Sequence, residues 1–155
     1  MEYRELIHAE PAHFDRGGCD EAVLVCDVGG TNTRVALFSI AGNDYQPLVS
    51  RSFASPEVID EFLNRTGELY GLTVRRGAAS GAGPVVDGVC RLTNVDWRIN
   101  VEEVKKKTAL DDFYLINDFA AIGYGLGPLE QHKPESFVTV KPGRKEPDRV
   151  KAVIG

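Results

Sequence analysis

Residues that mark secreted, membrane-spanning or metal-bound proteins are scarce in this chain of 155 residues. Its three cysteines are Cys19, Cys26 and Cys90, and no two of them have the CxxC spacing of a zinc site. An odd number of cysteines also argues against a disulfide framework, so we expect a reduced, cytoplasmic protein. No apolar run approaches the roughly 18 residues of a membrane span, so we expect no membrane partner.

Basic charge is in short supply as well. The chain has 18 Lys and Arg against 23 Asp and Glu, which gives a net charge of −5. Nucleic-acid binding needs a basic face, and the densest basic run, Lys105 to Lys107, is typical of a solvated helix end. We therefore expect no nucleic-acid partner. The 43% of hydrophobic residues instead indicates one ordinary globular domain.

Short apolar runs rich in β-branched residues predict most of the strands. These runs lie at residues 21–27, 34–40, 45–53, 73–79 and 113–116, with weaker runs at 137–140 and 150–155. Turn residues join the first three strands directly, whereas helices separate the later ones. This order predicts an α/β fold with a mixed sheet, in which three antiparallel strands are followed by parallel strands.

Helices are predicted at three places, residues 56–70, 101–108 and 119–126. Ser55 and Pro56 suit the cap and the first position of the first helix. Asn100 caps the second, and Glu103 completes the pattern of a capping box. Gly127-Pro128 is expected to end the third helix.

Residues 27–34, with the sequence DVGGTNTR, join the first two predicted strands. Glycines let backbone amides approach a phosphate closely, and Thr and Asn add further donors. The segment lacks the GxxxxGK[ST] pattern of a Walker loop, and a strand follows it rather than the helix of a dinucleotide fingerprint. It is therefore a hairpin that could fold over phosphates, or a plain hairpin turn in which Asp27 bonds to its own backbone.

Asn117-Asp118 stands where a buried strand is predicted to end. Ligands of open α/β sheets bind beyond such strand ends, and a carboxylate there can accept a proton from a bound hydroxyl. The alternative is that Asp118 only caps the following helix.

Two further segments contain the remaining candidate binding residues. Residues 81–85 are mostly small, and residues 92–97 follow them along the chain. Thr93 and Asn94 offer the neutral hydrogen-bonding groups that a polyol requires. Trp97 could pack against a sugar face, although a role in the core is the interpretation we favour.

Together these segments resemble the bacterial glucokinase family, within the sugar kinase, Hsc70 and actin superfamily. Residues 27–34 are similar to its first phosphate motif, and residues 115–121 (LINDFAA) to its strand ending in Asn-Asp. Residues 83–85 and 93–97 resemble the loop between them. The order and spacing agree over about residues 21–155, and they favour this family over the related repressor–kinase group of sugar kinases.

The resemblance implies a ribonuclease H-like mixed sheet with flanking helices, which forms one lobe of a two-lobe kinase. It implies phosphorylation of glucose at the 6-hydroxyl by ATP with Mg²⁺. On the nucleotide side, the implied phosphate-binding residues are Gly29, Gly30, Thr31, Asn32 and Arg34, with Asp27 holding Mg²⁺ through water. On the sugar side, they are Asn117, Thr93 and Asn94, with Asp118 accepting the proton of the attacking hydroxyl.

The resemblance also implies a division of the chain. Residues 1–20 are expected to be an N-terminal extension, 21–149 the small lobe, and 150–155 the first strand of a large lobe. A lobe alone cannot close over substrate, so we expect little kinase activity from these residues and some self-association through exposed apolar surface. Three alternatives remain: a kinase for another hexose such as fructose or mannose, a non-catalytic sugar-sensing module, and a domain whose Gly-Gly turn is purely structural.

Overall fold

The structure is a computed structural model that describes residues 4–6, 21–41, 44–54, 59, 61–63, 71, 73–93 and 95–141. The chain divides into two compact units, Met1–Asn117 and Asp118–Gly155.

The described part of the first unit is built mainly of strands. They are β1 (Arg4–Leu6), β2 (Glu21–Val28), β3 (Thr33–Ala41), β4 (Asp44–Phe53), β5 (Thr73–Gly81), β6 (Val85–Val86), β7 (Val89–Arg91), β8 (Arg98–Asn100) and β9 (Asp112–Asn117). They form a six-stranded sheet of order β1-β4-β3-β2-β5-β9 and a three-stranded sheet of order β6-β7-β8.

The large sheet is mixed, as the sequence predicts. Strand β3 pairs antiparallel with both β2 and β4, whereas β5 pairs parallel with both β2 and β9. The predicted strands at 21–27, 34–40, 45–53, 73–79 and 113–116 all lie inside these five strands. Strand β1, which pairs with β4, and the small sheet were not predicted, because their strands are only two or three residues long.

One face of the large sheet carries the core. Along β2 the side chains of Ala22, Leu24, Cys26 and Val28 are buried, as the two-residue period of a strand requires. Their neighbours on β3, Val35 and Leu37, share this face, since directly paired residues point the same way.

The first predicted helix can be checked in part. Residues 59 and 61–63 are helical, and the side chains of Ile59, Phe62 and Leu63 are buried. The predicted start at Ser55 and Pro56, and most of the rest of the helix, lie outside the described residues.

The helix after β8 is α1 (Val101–Lys107). The Asn100 side-chain oxygen accepts hydrogen bonds from the backbone N–H groups of Glu102 (2.9 Å) and Glu103 (3.2 Å), so the predicted cap is confirmed. The capping box is wrong in its other half, because the Glu103 carboxylate pairs with Arg98, 2.6 Å away. Lysines occupy the last turn, where their charge suits the helix dipole.

The second unit contains α2 (Asp118–His132) and a short 3₁₀ turn (Pro134–Ser136). The prediction that Gly127-Pro128 ends the helix is wrong. Proline removes a single backbone donor, and the helical pattern resumes beyond it, since Lys133 N–H donates to the Leu129 carbonyl at 2.8 Å.

The predicted strand at 137–140 is also wrong, since these described residues are not in a strand. Val138 and Val140 are 87% and 96% exposed, so their apolar alternation has no sheet to pack on. The predicted strand at 150–155 lies outside the described residues.

Candidate active site

Three parallel strands of the large sheet end side by side. Val28 at the end of β2 is level with Gly81 of β5, and Gly81 is level with Asn117 of β9. The β2–β3 turn, the loop after β5 and Asn117 therefore meet at one edge of the sheet. This is the edge at which α/β folds bind their ligands.

The turn between β2 and β3 is a tight hairpin with unused donors. Gly29 N–H donates to the Asn32 carbonyl at 2.9 Å and closes the turn. Within the residues that the structure describes, the backbone N–H groups of Gly30, Thr31 and Asn32 make no hydrogen bond. The side chains of Thr31 and Asn32 are exposed, and the Asn32 side-chain amide donates to Thr31 Oγ1 at 3.2 Å. Consecutive free N–H groups of this kind form an anion-binding concavity.

The two glycines of this turn are not required by its backbone. Neither Gly29 nor Gly30 has a positive φ, so other residues could adopt these conformations. A Cβ on Gly29 would meet only the Asn32 carbonyl oxygen, at 3.4 Å, which is an ordinary contact. The remaining physical reason for glycine is that a missing side chain lets another molecule approach the amides.

Asp27 precedes the turn and lies on the sheet face opposite the core. Its Oδ1 accepts a hydrogen bond from Ser80 Oγ at 3.0 Å, and its Oδ2 lies 3.5 Å from Arg34 Nη1. The side chains of Asp27 and Arg34 are 55% and 70% exposed. Ser80 was missed by the sequence analysis, because only the parallel register of β2 and β5 brings it beside Asp27.

Cys26, the residue before Asp27, takes no part in this arrangement. Its side chain is buried on the core face, and burial, followed by the charge of Asp27, raises the pKa of its thiol well above the usual range. The thiol therefore stays protonated and is a packing group rather than a nucleophile.

The loop after β5 connects the turn to two of the predicted sugar-binding residues. Ala82 N–H donates to the Val28 carbonyl at 3.0 Å, which ties the loop to the end of β2. Thr93 donates to the Ala82 carbonyl from its backbone and from its hydroxyl, both at 3.3 Å. Asn117 Nδ2 donates to the Gly83 carbonyl at 3.0 Å. Thr93 and Asn117 thus meet on one loop, whereas Asn94 lies outside the described residues.

Glycine is obligatory in this loop, in contrast to the turn. A Cβ on Gly83 would collide with the backbone carbonyl oxygen of Arg91, and one on Gly81 would lie 2.5 Å from Cys90 Sγ. The close approach of β7 to the loop explains why small residues occur here.

Asp118 follows Asn117 directly and is the first residue of α2. Its Oδ1 accepts a hydrogen bond from the Phe119 N–H at 2.9 Å. This contact is with the adjacent residue, whereas an N-cap side chain accepts from an N–H two or three residues further along. The capping alternative therefore stays a prediction. The role of Asp118 as a base stays a prediction.

A cavity of about 240 Å³ lies elsewhere in the first unit, between Ile59, Trp97 and helix α1. None of the predicted phosphate- or sugar-binding residues lines it in the described part of the chain. Trp97 packs against the core as well, which agrees with the structural role favoured for it.

Two classes of site can be addressed directly in the described residues. They contain no cluster of three or more His, Cys, Asp or Glu that could hold a metal ion by itself. Nor is any helix among them long and apolar enough to traverse a bilayer.

Comparison with known proteins gives a consistent assignment. A family model described as Glucokinase matches residues 24–155. The chain is 31% identical over 147 residues to a glucokinase of Synechocystis sp. and 32% identical over 146 residues to one of Pseudomonas paraeruginosa, covering 85% and 90% of this chain. It spans only about 40% of the length of both relatives.

A solved structure agrees with the sequence relatives. The crystal structure of a glucokinase from an Antarctic psychrotroph superposes with a TM-score of 0.58 at 25% identity. The match covers 82% of this chain and 40% of that one. With the family model matching most of its length, the chain belongs to the glucokinase family.

Proposed function

We propose that this chain forms the N-terminal lobe of a kinase that transfers the γ-phosphoryl group of ATP to the 6-hydroxyl of glucose. The observation that carries the proposal is the shared edge of β2, β5 and β9, where a donor-rich turn follows β2 and Asn117 ends β9, the two parallel strands on either side of β5. Such transfer depends mainly on positioning and on electrostatic stabilisation of the phosphoryl oxygens. The names of the relatives favour glucose over other hexoses.

The phosphates of ATP would be held by the turn after β2. The N–H groups of Gly30, Thr31 and Asn32 are the donors for this, since Gly29 N–H is used to close the turn. The Arg34 guanidinium adds a positive charge on the next strand, and its side chain is 70% exposed.

The residues present fit Mg²⁺. This ion binds proteins through one or two carboxylates and takes its other ligands from phosphates and water. Asp27 is one such carboxylate, half-exposed beside the turn, and would hold the ion through water. When bound, Mg²⁺ would neutralise charge on the phosphates.

The sugar would bind on the other side of the same edge. Asn117 and Thr93 are both fixed to the 81–84 loop by hydrogen bonds and would contact sugar hydroxyls, together with Asn94. Asp118 would accept the proton of the 6-hydroxyl as that oxygen attacks the phosphorus.

Nucleotide titration of the isotope-labelled chain tests the phosphate side. With ADP and Mg²⁺ we expect the amide NMR signals of Gly30, Thr31 and Asn32 to move. The hairpin turn at Asp87-Gly88 is the control, because it also joins two antiparallel strands but precedes β7 in the small sheet. Absence of shifts at residues 30–32, or equal shifts in both turns, would contradict the proposal.

Substitution of Asp118 tests the sugar side in a kinase-active protein that contains this chain. Asp118→Ala should lower kcat by about 10²–10⁴, the usual contribution of a general base. Asp111→Ala is the control, because that exposed carboxylate pairs only loosely with Arg75, at 3.9 Å. A loss of less than about tenfold is too small for this role. The 155 residues alone are expected to show little or no turnover in the same assay.

A further inference from the structure

A row of polar side chains crosses the sheet face opposite the core. Arg34, Asp27 and Ser80 are neighbours on β3, β2 and β5, since Asp27 pairs with Arg34 on one side and with Ser80 on the other. The Asp27 carboxylate is contacted from both sides, at 3.0 Å by Ser80 Oγ and at 3.5 Å by Arg34 Nη1.

The two contacts differ in kind. Ser80 donates a hydrogen bond of normal length from a short side chain on a central strand, whereas Arg34 reaches Asp27 at the long end of the ion-pair range. A guanidinium neutralises a carboxylate and competes with a cation for it. A hydroxyl fixes the same carboxylate and leaves its charge in place.

Folding alone gives little reason for this hydrogen bond. The Asp27 side chain is 55% exposed, so water could replace Ser80 at almost no cost. Serine is also a poorer residue for a central strand than the β-branched residues. The consequence that does matter is geometric, because Oδ1 is held and the rotation of the carboxylate is restricted.

We propose that Ser80 is a positioning residue that holds the Asp27 carboxylate in the orientation needed to receive hydrated Mg²⁺ beside the phosphate-binding turn. This inference rests on the proposed function and adds a residue to it. Oδ1 would stay bonded to Ser80, and Oδ2 would be the oxygen available to water bound to the ion. Arg34 would then be available to the phosphates.

The first test measures the orientation of Asp27 without any ligand. Three-bond NMR couplings report the χ1 rotamers of Asp27 in the 155-residue protein. We expect one rotamer in the wild type, averaged rotamers in Ser80→Ala, and restoration of one rotamer in Ser80→Thr. Ser52→Ala is the matched control, because Ser52 is level with Arg34 on β4 and makes no bond to Asp27. An unchanged Asp27 rotamer in Ser80→Ala overturns the inference.

The second test measures binding of ADP with and without Mg²⁺ to the same four proteins. Ser80→Ala should weaken binding of Mg²⁺-ADP about three- to tenfold, the effect expected from one hydrogen bond, and leave metal-free ADP unchanged. Ser80→Thr and Ser52→Ala should bind as the wild type does. Equal weakening with and without Mg²⁺, or none at all, overturns the role of Ser80 while the proposed function stands. Failure of the wild type to bind ADP in either form overturns both.

Discussion

Gly29 and Gly83 both lie in loops at the edge proposed to bind the ligands, but they are glycine for different reasons. A Cβ on Gly29 has room and needs no unusual backbone, so Gly29→Ala should keep the free energy of unfolding within about 1 kcal/mol of the wild type. The new methyl group would stand beside the free amides and weaken ADP binding. Gly83→Ala should instead lower the free energy of unfolding by about 1–3 kcal/mol, because its Cβ meets the Arg91 carbonyl.

Urea unfolding together with ADP titration separates these two outcomes. If Gly29→Ala unfolded as easily as Gly83→Ala, the turn glycine would be structural. The alternative of a plain hairpin turn would then be preferred.

Thr33, at the start of β3, has a fully buried hydroxyl without a hydrogen-bond partner among the described residues. A buried unpaired hydroxyl costs stability, so Thr33→Val should raise the free energy of unfolding by about 1 kcal/mol. Thr108→Val is the control with the opposite sign, because Thr108 Oγ1 donates to the Val104 carbonyl at 2.8 Å. A loss of stability in Thr33→Val would mean that its hydroxyl does have a partner in solution.

At the scale of elements, helix α2 is unusually weak in its own sequence. It contains Pro128 and three glycines, and a Cβ on Gly123 or Gly125 would meet nothing within 4 Å. Each Gly→Ala change there should stabilise the helix by about 1 kcal/mol. Hydrogen exchange of the α2 amides should therefore slow about fivefold or more in the double variant Gly123→Ala, Gly125→Ala.

The opposite change provides the control for this helix. Ala120→Gly removes a favourable residue from the exposed side of the first turn and should speed exchange by a similar factor. Unchanged exchange in both variants would show that contacts outside the helix, rather than its propensity, determine its stability.

Local sequence was sufficient for the five long strands and for helix α1 with its Asn100 cap. The runs around Leu24 and Phe113 predict β2 and β9, because a short apolar run is typical of a strand packed on a core. The end of α2 was mispredicted, because Gly127-Pro128 weakens the helix only at that point. The helical hydrogen bonds resume beyond it. The strand at 137–140 failed because pairing requires a partner strand.

The site was predictable to the same extent. The turn at 29–32 follows β2 and Asn117 ends β9, so the predicted strand order places both at one edge of the sheet. Their roles in binding stay predictions. Ser80 and the anchoring of Thr93 could not be read from the sequence, because both depend on long-range register.

At the scale of the whole molecule, apolar side chains remain at the surface of the described residues. Val25 and Tyr114 are 41% and 66% exposed, and β9 is an edge strand of the described sheet. Exposed apolar edges pair with other chains, so light scattering should show a mass that rises with protein concentration.

A lysine on this edge should reduce the association. Tyr114→Lys places a charge on β9, whereas Val86→Lys places the same charge at a residue 65% exposed in the small sheet. We expect the first to lower the apparent mass and the second to leave it unchanged. A monomer at every concentration would contradict the expectation.

The parallel pairing of β2 with β5 also determines the order in which the strands can pair during synthesis. Asp27 and Ser80 are 53 positions apart, and β9 must be added before the edge proposed to bind the ligands is complete. The antiparallel strands β2, β3 and β4 can pair as they leave the ribosome. The other edge of β2 stays unpaired until β5 has been synthesised. Any chaperone that binds this nascent chain should therefore release it only after residue 117 has emerged from the ribosome.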